Sequence, residues 1–229
     1  MDDQSPNRFQ EVAAELRLVF AGRGKTLDSL IPPVIFLIIN AFLGFETALW
    51  AALGIAVLIG IWRAIKRQPL AYAFAGVGGV LVAVLIARVL GRAEGFFLPG
   101  LVTGSLTAGI CLLSLIAKRP LAAWTSYFTR RWPLDWYWHE RVLPAYSEVT
   151  LAWTVFFSLR LILQLLLFQQ QASQALGWVQ LITGWPALII LLIVSYLYGI
   201  WRLGNLQGPS VEEFKQGTPP PWDGQKRGF

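Results

Sequence analysis

The sequence predicts an all-α membrane protein: a polytopic bundle of about six transmembrane helices with both termini in the cytoplasm. Residues 70–90 and 149–168 carry one charged side chain each, and residues 97–117 and 181–200 carry none. An α-helix needs about 20 apolar residues to cross a hydrocarbon layer of ~30 Å. The composition agrees, because 55% of the residues are hydrophobic and 14% are charged, whereas a soluble domain has about 25% charged residues.

The helices follow one another in a regular order. The first is predicted at residues 27–45 and the second at residues 47–64, with a tight turn between them. Both are short, so a re-entrant hairpin remains an alternative to two full crossings. Either arrangement begins and ends on the same side of the membrane. The third to sixth helices are the four apolar stretches, and residues 91–96 form the short loop between the third and the fourth.

Basic residues set the predicted orientation. Most of the 19 Lys and Arg residues fall in the amino-terminal tail, the second-to-third connection, the fourth-to-fifth connection and the carboxyl-terminal tail. With six crossings, all four segments lie on one side of the membrane. Cytoplasmic loops carry an excess of Lys and Arg, so this side is predicted to be the cytoplasm.

Two terminal segments flank the predicted transmembrane domain, residues 27–203. Residues 1–26 form a cytoplasmic tail in which Phe9, Val12 and Leu16 recur at helical spacing. We expect a short amphipathic helix on the membrane surface there, with a frayed polar tail as the alternative. Residues 204–229 combine a run of three prolines with scattered charges and are expected to be a disordered cytoplasmic tail.

Small residues form a stripe on each of two consecutive helices. Ala75, Gly79 and Ala83 recur every fourth residue of the third helix, and Gly100 and Gly104 do so on the fourth. Small side chains allow close approach of helix backbones in lipid, where no hydrophobic force draws helices together. The stripes predict helix packing. The contact is either between these two helices or with another subunit.

Polar residues inside the apolar stretches are the candidate functional site. Arg160 lies near the middle of the fifth helix with Gln164 one turn further on, and Arg88, Arg92 and Glu94 cluster near the outer end of the third. A cation in the bilayer is costly unless it pairs or reaches water. The functional interpretation is a polar pocket in the outer half of the membrane. The structural interpretation is that Arg160 bonds to helix-end carbonyls or to Asn40, and that Arg88 extends to the headgroups.

The connection at residues 118–148 interleaves aromatic and basic side chains. This composition suits the headgroups of an anionic cytoplasmic leaflet, and a loop tethered at both ends to spanning helices favours lipid over nucleic acid as its partner. Its His139 is the chain's one histidine, and Cys111 is its one cysteine. With so few ligands and no carboxylate cluster, we expect no metal, no cofactor and no enzymatic activity.

The loop Gly91-Arg92-Ala93-Glu94-Gly95, followed by residues 96–100, resembles the most recognisable motif of a bacterial membrane family catalogued as domain of unknown function 3159. Members of that family also carry an arginine in the penultimate helix, which Arg160 matches. The resemblance covers residues 25–203. It implies a helical membrane fold and no particular activity.

The segment Leu-Ala-Trp-Thr-Val-Phe-Phe at residues 151–157 is similar, more distantly, to the intracellular septation protein A family of bacterial inner membranes. Residues 118–121 also look similar. That family is associated with cell division and envelope maintenance through contacts with other membrane proteins. This chain differs from it in Arg160, in the loop at residues 91–95 and in its longer tails.

Two functions follow as expectations. The first is a non-enzymatic membrane scaffold or assembly factor of the cell envelope or division machinery, in the bacterial inner membrane, binding other membrane proteins or a second copy of itself. The alternative is a small transporter or channel in which Arg160, Arg88 and Glu94 line the path.

Overall fold

A computed structural model describes residues 31–67, 69–225 and 228–229. Every regular element in these ranges is a helix, and the part of residues 1–26 predicted to be amphipathic lies outside them. A 3₁₀ helix covers Ala93–Phe97. The α-helices are α1 (Ile31–Phe42), α2 (Phe45–Ile65), α3 (Leu70–Leu90), α4 (Leu98–Ile116), α5 (Leu121–Arg130), α6 (Leu134–Tyr137), α7 (Leu143–Gln169), α8 (Ser173–Ile182), α9 (Trp185–Leu206) and α10 (Val211–Gln216).

Four helical stretches are long and apolar enough to cross a membrane. They are Phe45–Ile65, Ala93–Ile116, Leu143–Gln169 and Ser173–Leu206. The last spans 34 residues and contains both α8 and α9, which are separated by a turn at Thr183 and Gly184. Ile31–Phe42 and Ala75–Leu90 are shorter apolar helices. The all-helical membrane class is therefore confirmed, whereas the number of crossings stays a prediction.

Several helix boundaries differ from the expected ones, among them both ends of α9, which was expected at residues 181–200 and runs from Trp185 to Leu206. Helix α1 ends at Phe42, three residues before its predicted end, and α2 begins at Phe45, two residues before its predicted start. Gly44 between them has a positive φ of 84°, which ends the first helix. Helix α7 begins at Leu143, six residues before the predicted start at residue 149. Its first turn holds Pro144, a position where the missing backbone donor costs nothing. Helix α8 was not predicted.

The chain divides into two compact units. The first contains the described residues up to Pro99 together with Leu167–Leu181. Its core centres on Phe36 of α1, which stacks on Phe96 with ring centroids 4.2 Å apart and meets Phe97 edge to face. Gly177 of α8 packs directly against Leu37 and Phe97. In this unit the side-chain amide of Gln174 donates a hydrogen bond to the Leu37 carbonyl at 2.9 Å.

The second unit contains Gly100–Leu166 and the described residues from Ile182 to Phe229. An indole hydrogen bond joins two of its long helices, since Trp153 Nε1 of α7 donates to Ser195 Oγ of α9 at 2.7 Å. The buried core of this unit is rich in aromatic and small side chains. Its members are Cys111, Ala122, Ala123, Trp136, Tyr137, Val142, Ala145, Tyr146, Val149, Trp153, Leu203 and Val211.

The expectation that residues 204–229 are disordered is wrong for the described part of this tail. Helix α10 begins with a capping box in which Ser210 Oγ accepts from the Glu213 amide at 3.2 Å and Glu213 accepts from the Ser210 amide at 2.7 Å. The Pro209 carbonyl accepts from Trp136 Nε1 at 2.8 Å, and the Phe229 ring stacks on Tyr146 at 4.3 Å. Prolines and charges suggested disorder, but aromatic contacts to the loop order the segment.

Candidate functional site

The small-residue stripe of α3 divides into a buried half and an exposed half. Ala83 and Ala87 are buried, whereas Ala71, Ala75 and Gly79 are exposed. The buried half packs within the first unit, because a Cβ added to Gly95 would lie 2.7 Å from the Ala87 Cα. The exposed half presents three small residues at four-residue spacing on an apolar helix. This half is a surface on which a second helix could pack closely.

The space beside Gly79 is open in the described part of the chain. No atom lies within 4 Å of the position that a Cβ would take at Gly79, and the same holds for the exposed Gly54 of α2. Gly76 differs, because Arg63 Nη1 of α2 would lie 3.3 Å from its Cβ. The buried Arg63 guanidinium therefore rests against α3 beside the exposed stripe.

The small residues of the α4 stripe have other neighbours than those of α3. Gly104 is half-buried, and a Cβ at this position would lie 3.9 Å from Gln164 Oε1 of α7. The neighbouring Thr103 and Thr107 hydroxyls donate to carbonyls of their own helix, at 3.0 and 2.8 Å. Gly104 thus brings the backbone of α4 close to a polar side chain of α7. Gly100 is half-buried as well.

Arg88 pairs with a carboxylate that the sequence did not single out. Its Nη2 lies 3.6 Å from Glu46 Oε2 at the start of α2, and its guanidinium lies 5.1 Å from the centroid of the Trp50 ring. Both side chains of the ion pair are more than half exposed, so the pair contributes little to stability. The interaction does tie the end of α3 to the beginning of α2.

The other two members of the predicted outer cluster also lie in the first unit. The Arg92 guanidinium is 6.0 Å from the centroid of the Phe168 ring. Glu94 is buried within the 3₁₀ helix. Arg160 and Gln164 belong to the second unit. The predicted pocket that joins all five residues stays a prediction.

Arg160 and Gln164 bury polar atoms that have no hydrogen-bond partner among the described residues. These atoms are Arg160 Nε and both polar atoms of the Gln164 amide. Gln164 is only 1% exposed, and Arg160 is half-buried. The structural interpretation, in which Arg160 bonds to helix-end carbonyls or to Asn40, stays a prediction.

A charged cluster that sequence reasoning missed joins α7 to α9. Glu148 accepts two hydrogen bonds from Arg202, at 2.7 and 2.8 Å, and a third from the Tyr198 hydroxyl at 2.7 Å. Such a bidentate arrangement has strict geometry and fixes the relative position of the two side chains. The signal in the sequence was Arg202 itself, one of the basic residues near the carboxyl-terminal end that set the predicted orientation.

The aromatic residues at 118–148 divide into a core and a surface. Trp136, Tyr137 and Tyr146 are fully buried, so they cannot contact headgroups or stack on bases. Phe128 is 62% exposed, and Trp124 beside it is half-buried. We call this assembly, formed by residues 118–148 and the described residues of 207–229, the aromatic module. Only part of its aromatic content is available to lipid.

Arginines cover the rings at the edge of the aromatic module. The Arg119 guanidinium lies 4.2 Å from the Trp138 ring centroid, and that of Arg130 lies 5.0 Å from Trp132. Burial raises the pKa of the Tyr137 hydroxyl, an effect that the hydrogen bond to Ser126 at 3.2 Å partly offsets. Tyr137 therefore stays neutral near pH 7.

His139 has a packing role in the structure. It meets the Trp222 ring edge to face at 5.3 Å, and its Nδ1 lies 3.2 Å from the Arg141 amide, which donates to it. No group of three or more His, Cys, Asp or Glu residues that could hold a metal ion is found in the described ranges. The expectation that the chain uses no cofactor stays a prediction.

Comparison with known proteins places the chain in a family. The model of a family described as protein of unknown function (DUF3159) matches residues 20–200, which is most of the sequence and includes every helix from α1 to α8. No curated protein and no solved structure matches the chain, so the similarity to the septation protein A family stays a prediction. On the extent of the family match, the chain belongs to the DUF3159 family.

Proposed function

We propose that this protein is a non-enzymatic scaffold of the bacterial inner membrane that binds a transmembrane helix of another envelope protein. In this proposal the chain crosses the bilayer six times and keeps both termini in the cytoplasm. The four long apolar stretches and the two shorter apolar helices would supply the crossings. The distribution of Lys and Arg supports the orientation.

The exposed half of the α3 stripe is the observation that carries the proposal. Ala71, Ala75 and Gly79 are exposed, although small residues on a spanning helix generally lie at helix contacts. The same helix buries Ala83 and Ala87. An exposed small-residue surface gains nothing from lipid but permits close packing of a second helix. A partner helix with small residues of its own fits this surface.

In this proposal the aromatic module lies on the cytoplasmic side and contacts the membrane surface. Phe128 is largely exposed on α5, and the exposed Arg119 and Arg131 flank the ends of that helix. Exposed aromatic and basic side chains together favour the headgroup region of an anionic leaflet. Contact with lipid there would hold the module against the membrane.

Proximity crosslinking in native membranes, followed by mass spectrometry, tests the proposal. Wild type is compared with Gly79→Leu and with Gly54→Leu, a matched control, since both glycines are exposed and have open space around a Cβ. We expect specific envelope proteins to be captured by wild type and by Gly54→Leu, and their recovery to fall at least tenfold in Gly79→Leu.

Two results would contradict this function. Equal capture by all three proteins would mean that the α3 surface binds no partner helix. Capture of the chain itself alone, lost in Gly79→Leu, would replace the heterologous partner with a second copy. The comparison requires equal expression and equal membrane insertion of the three proteins. We expect both to be unchanged, because leucine is compatible with a surface that faces lipid.

A further inference from the structure

Arg160 and Gln164 lie four residues apart on α7, so their side chains share one face of the helix. Gln164 is 1% exposed, yet neither its amide nitrogen nor its amide oxygen has a hydrogen-bond partner within the described ranges. The buried Nε of Arg160 also has no hydrogen-bond partner within these ranges. Buried polar atoms are almost always paired in proteins, so three such atoms on one face indicate a ligand.

We propose that this face of α7, with Gly104 of α4, binds an oxyanion that also carries a hydroxyl group. The Arg160 guanidinium and the Gln164 amide nitrogen would donate to anionic oxygens. The Gln164 carbonyl oxygen accepts only, so it requires a hydrogen-bond donor from the ligand, and the hydroxyl group supplies it. An ion without a hydroxyl leaves that oxygen unsatisfied.

Gly104 lies next to the accepting oxygen, which is itself buried. The position of a Cβ at residue 104 lies 3.9 Å from Gln164 Oε1, so a side chain larger than a methyl group would occupy the volume beside it. A neighbouring apolar residue would have shielded the carbonyl without satisfying it. The small residue thus serves the polar group as well as helix packing.

The depth of the site allows two sources for the ligand. Arg160 lies nine residues and Gln164 five residues before Gln169, the end of α7, which places them about 13 Å and 8 Å from that end at ~1.5 Å per residue. A lipid headgroup with a phosphodiester and a free hydroxyl, such as phosphatidylglycerol, presents the required chemistry. Free bicarbonate or dihydrogen phosphate presents it as well.

Thermal unfolding of the purified full chain in detergent tests the site and separates the sources. One arm adds bicarbonate or phosphate, with chloride and sulfate as ions that lack a hydroxyl. The other adds phosphatidylglycerol, with zwitterionic phosphatidylcholine as the control. We expect a saturable rise in Tm in one arm, greater than with either control. The arm that responds identifies the source.

Two leucine variants distinguish a ligand site from a structural role. Gln164→Leu removes unpaired buried atoms, so we expect a Tm at least equal to wild type without ligand and no response to the oxyanion. Gln174→Leu is the control, because the Gln174 amide donates to the Leu37 carbonyl at 2.9 Å. It should lower Tm and keep the response.

The site is refuted if wild type responds in neither arm, or if Gln164→Leu keeps the full response. A Gln164→Leu protein that unfolds at lower temperature than wild type without ligand also refutes it, because Gln164 would then have a structural partner. None of these outcomes depends on partner capture at Gly79, which lies on a different helix.

Discussion

At the scale of single residues, the glycines of this protein have unequal roles. Gly177 is buried, and a Cβ there would lie 2.8 Å from the Phe97 ring and in collision with Leu37. Gly199 is buried under the Phe229 ring. Gly54 and Gly109 have no atom within 4 Å of a Cβ position. In the sequence all four are small residues in apolar segments. The packing around each one determines whether glycine is required at that position.

Gly177→Ala should destabilise the protein, whereas Gly109→Ala should not. Overpacking by one methyl group against Leu37 and Phe97 costs about 1–3 kcal/mol. At Gly109, within α4 and with open space, alanine should stabilise the helix by about 0.5–1 kcal/mol. Thermal unfolding in detergent measures both. Equal melting temperatures for the two variants would show that α8 does not pack against α1 as described.

At the scale of elements, apolar runs predicted the long helices well. Predicted and observed bounds of α3 coincide, and those of α4 differ by one residue at each end. The helices that were missed, α5, α6, α8 and α10, are short and carry polar or aromatic residues. Their stability comes from tertiary contacts, which local periodicity does not contain.

The candidate site was only partly predictable for the same reason. Arg160 and Gln164 stand out as polar residues in an apolar run, and helix geometry alone puts them on one face. The partners of Arg88 and Arg202 are Glu46 and Glu148, which lie 42 and 54 residues away in the chain. Pairings between residues so far apart in the chain depend on how the helices pack, so they cannot be recognised from a single sequence.

Phe229→Ala should release the carboxyl-terminal tail from the aromatic module. The Phe229 ring stacks on Tyr146 at 4.3 Å and covers Gly199. An aromatic pair contributes about 0.5–1.5 kcal/mol beyond its buried area, so tail opening should increase roughly tenfold. Trypsin cleavage after the exposed Lys215 measures it. The control, Pro219→Ala at an exposed position, should match wild type, and unchanged cleavage in Phe229→Ala would contradict the contact.

At the scale of the whole molecule, apolar surface dominates. Large exposed hydrophobic side chains occur along all the long helices, for example Val89, Leu113, Leu159 and Ile190. In water such a surface would aggregate, whereas in a bilayer it contacts lipid tails. The aromatic module differs, since Trp136, Tyr137 and Tyr146 are fully buried in it. One chain thus combines helices with lipid-facing surfaces and a module whose aromatic rings share a buried core with those helices.

Single-cysteine labelling tests the orientation proposed for the whole chain. In a Cys111→Ala background, Gln170→Cys and Glu140→Cys put one exposed thiol at each end of α7. A membrane-impermeant maleimide should label residue 170 in intact spheroplasts and residue 140 only after permeabilisation. Labelling of both in intact spheroplasts would mean that α7 does not cross, and the reverse pattern would invert the topology.

The hydrogen bond from Trp136 to the Pro209 carbonyl has a consequence for biogenesis. Its two residues are 73 positions apart, so the ribosome needs about 4–15 s to make the second after the first, at about 5–20 residues per second. During that interval α7, α8 and α9 emerge while Trp136 lacks its acceptor. The tail therefore joins the aromatic module only after the long helices of the second unit have been made.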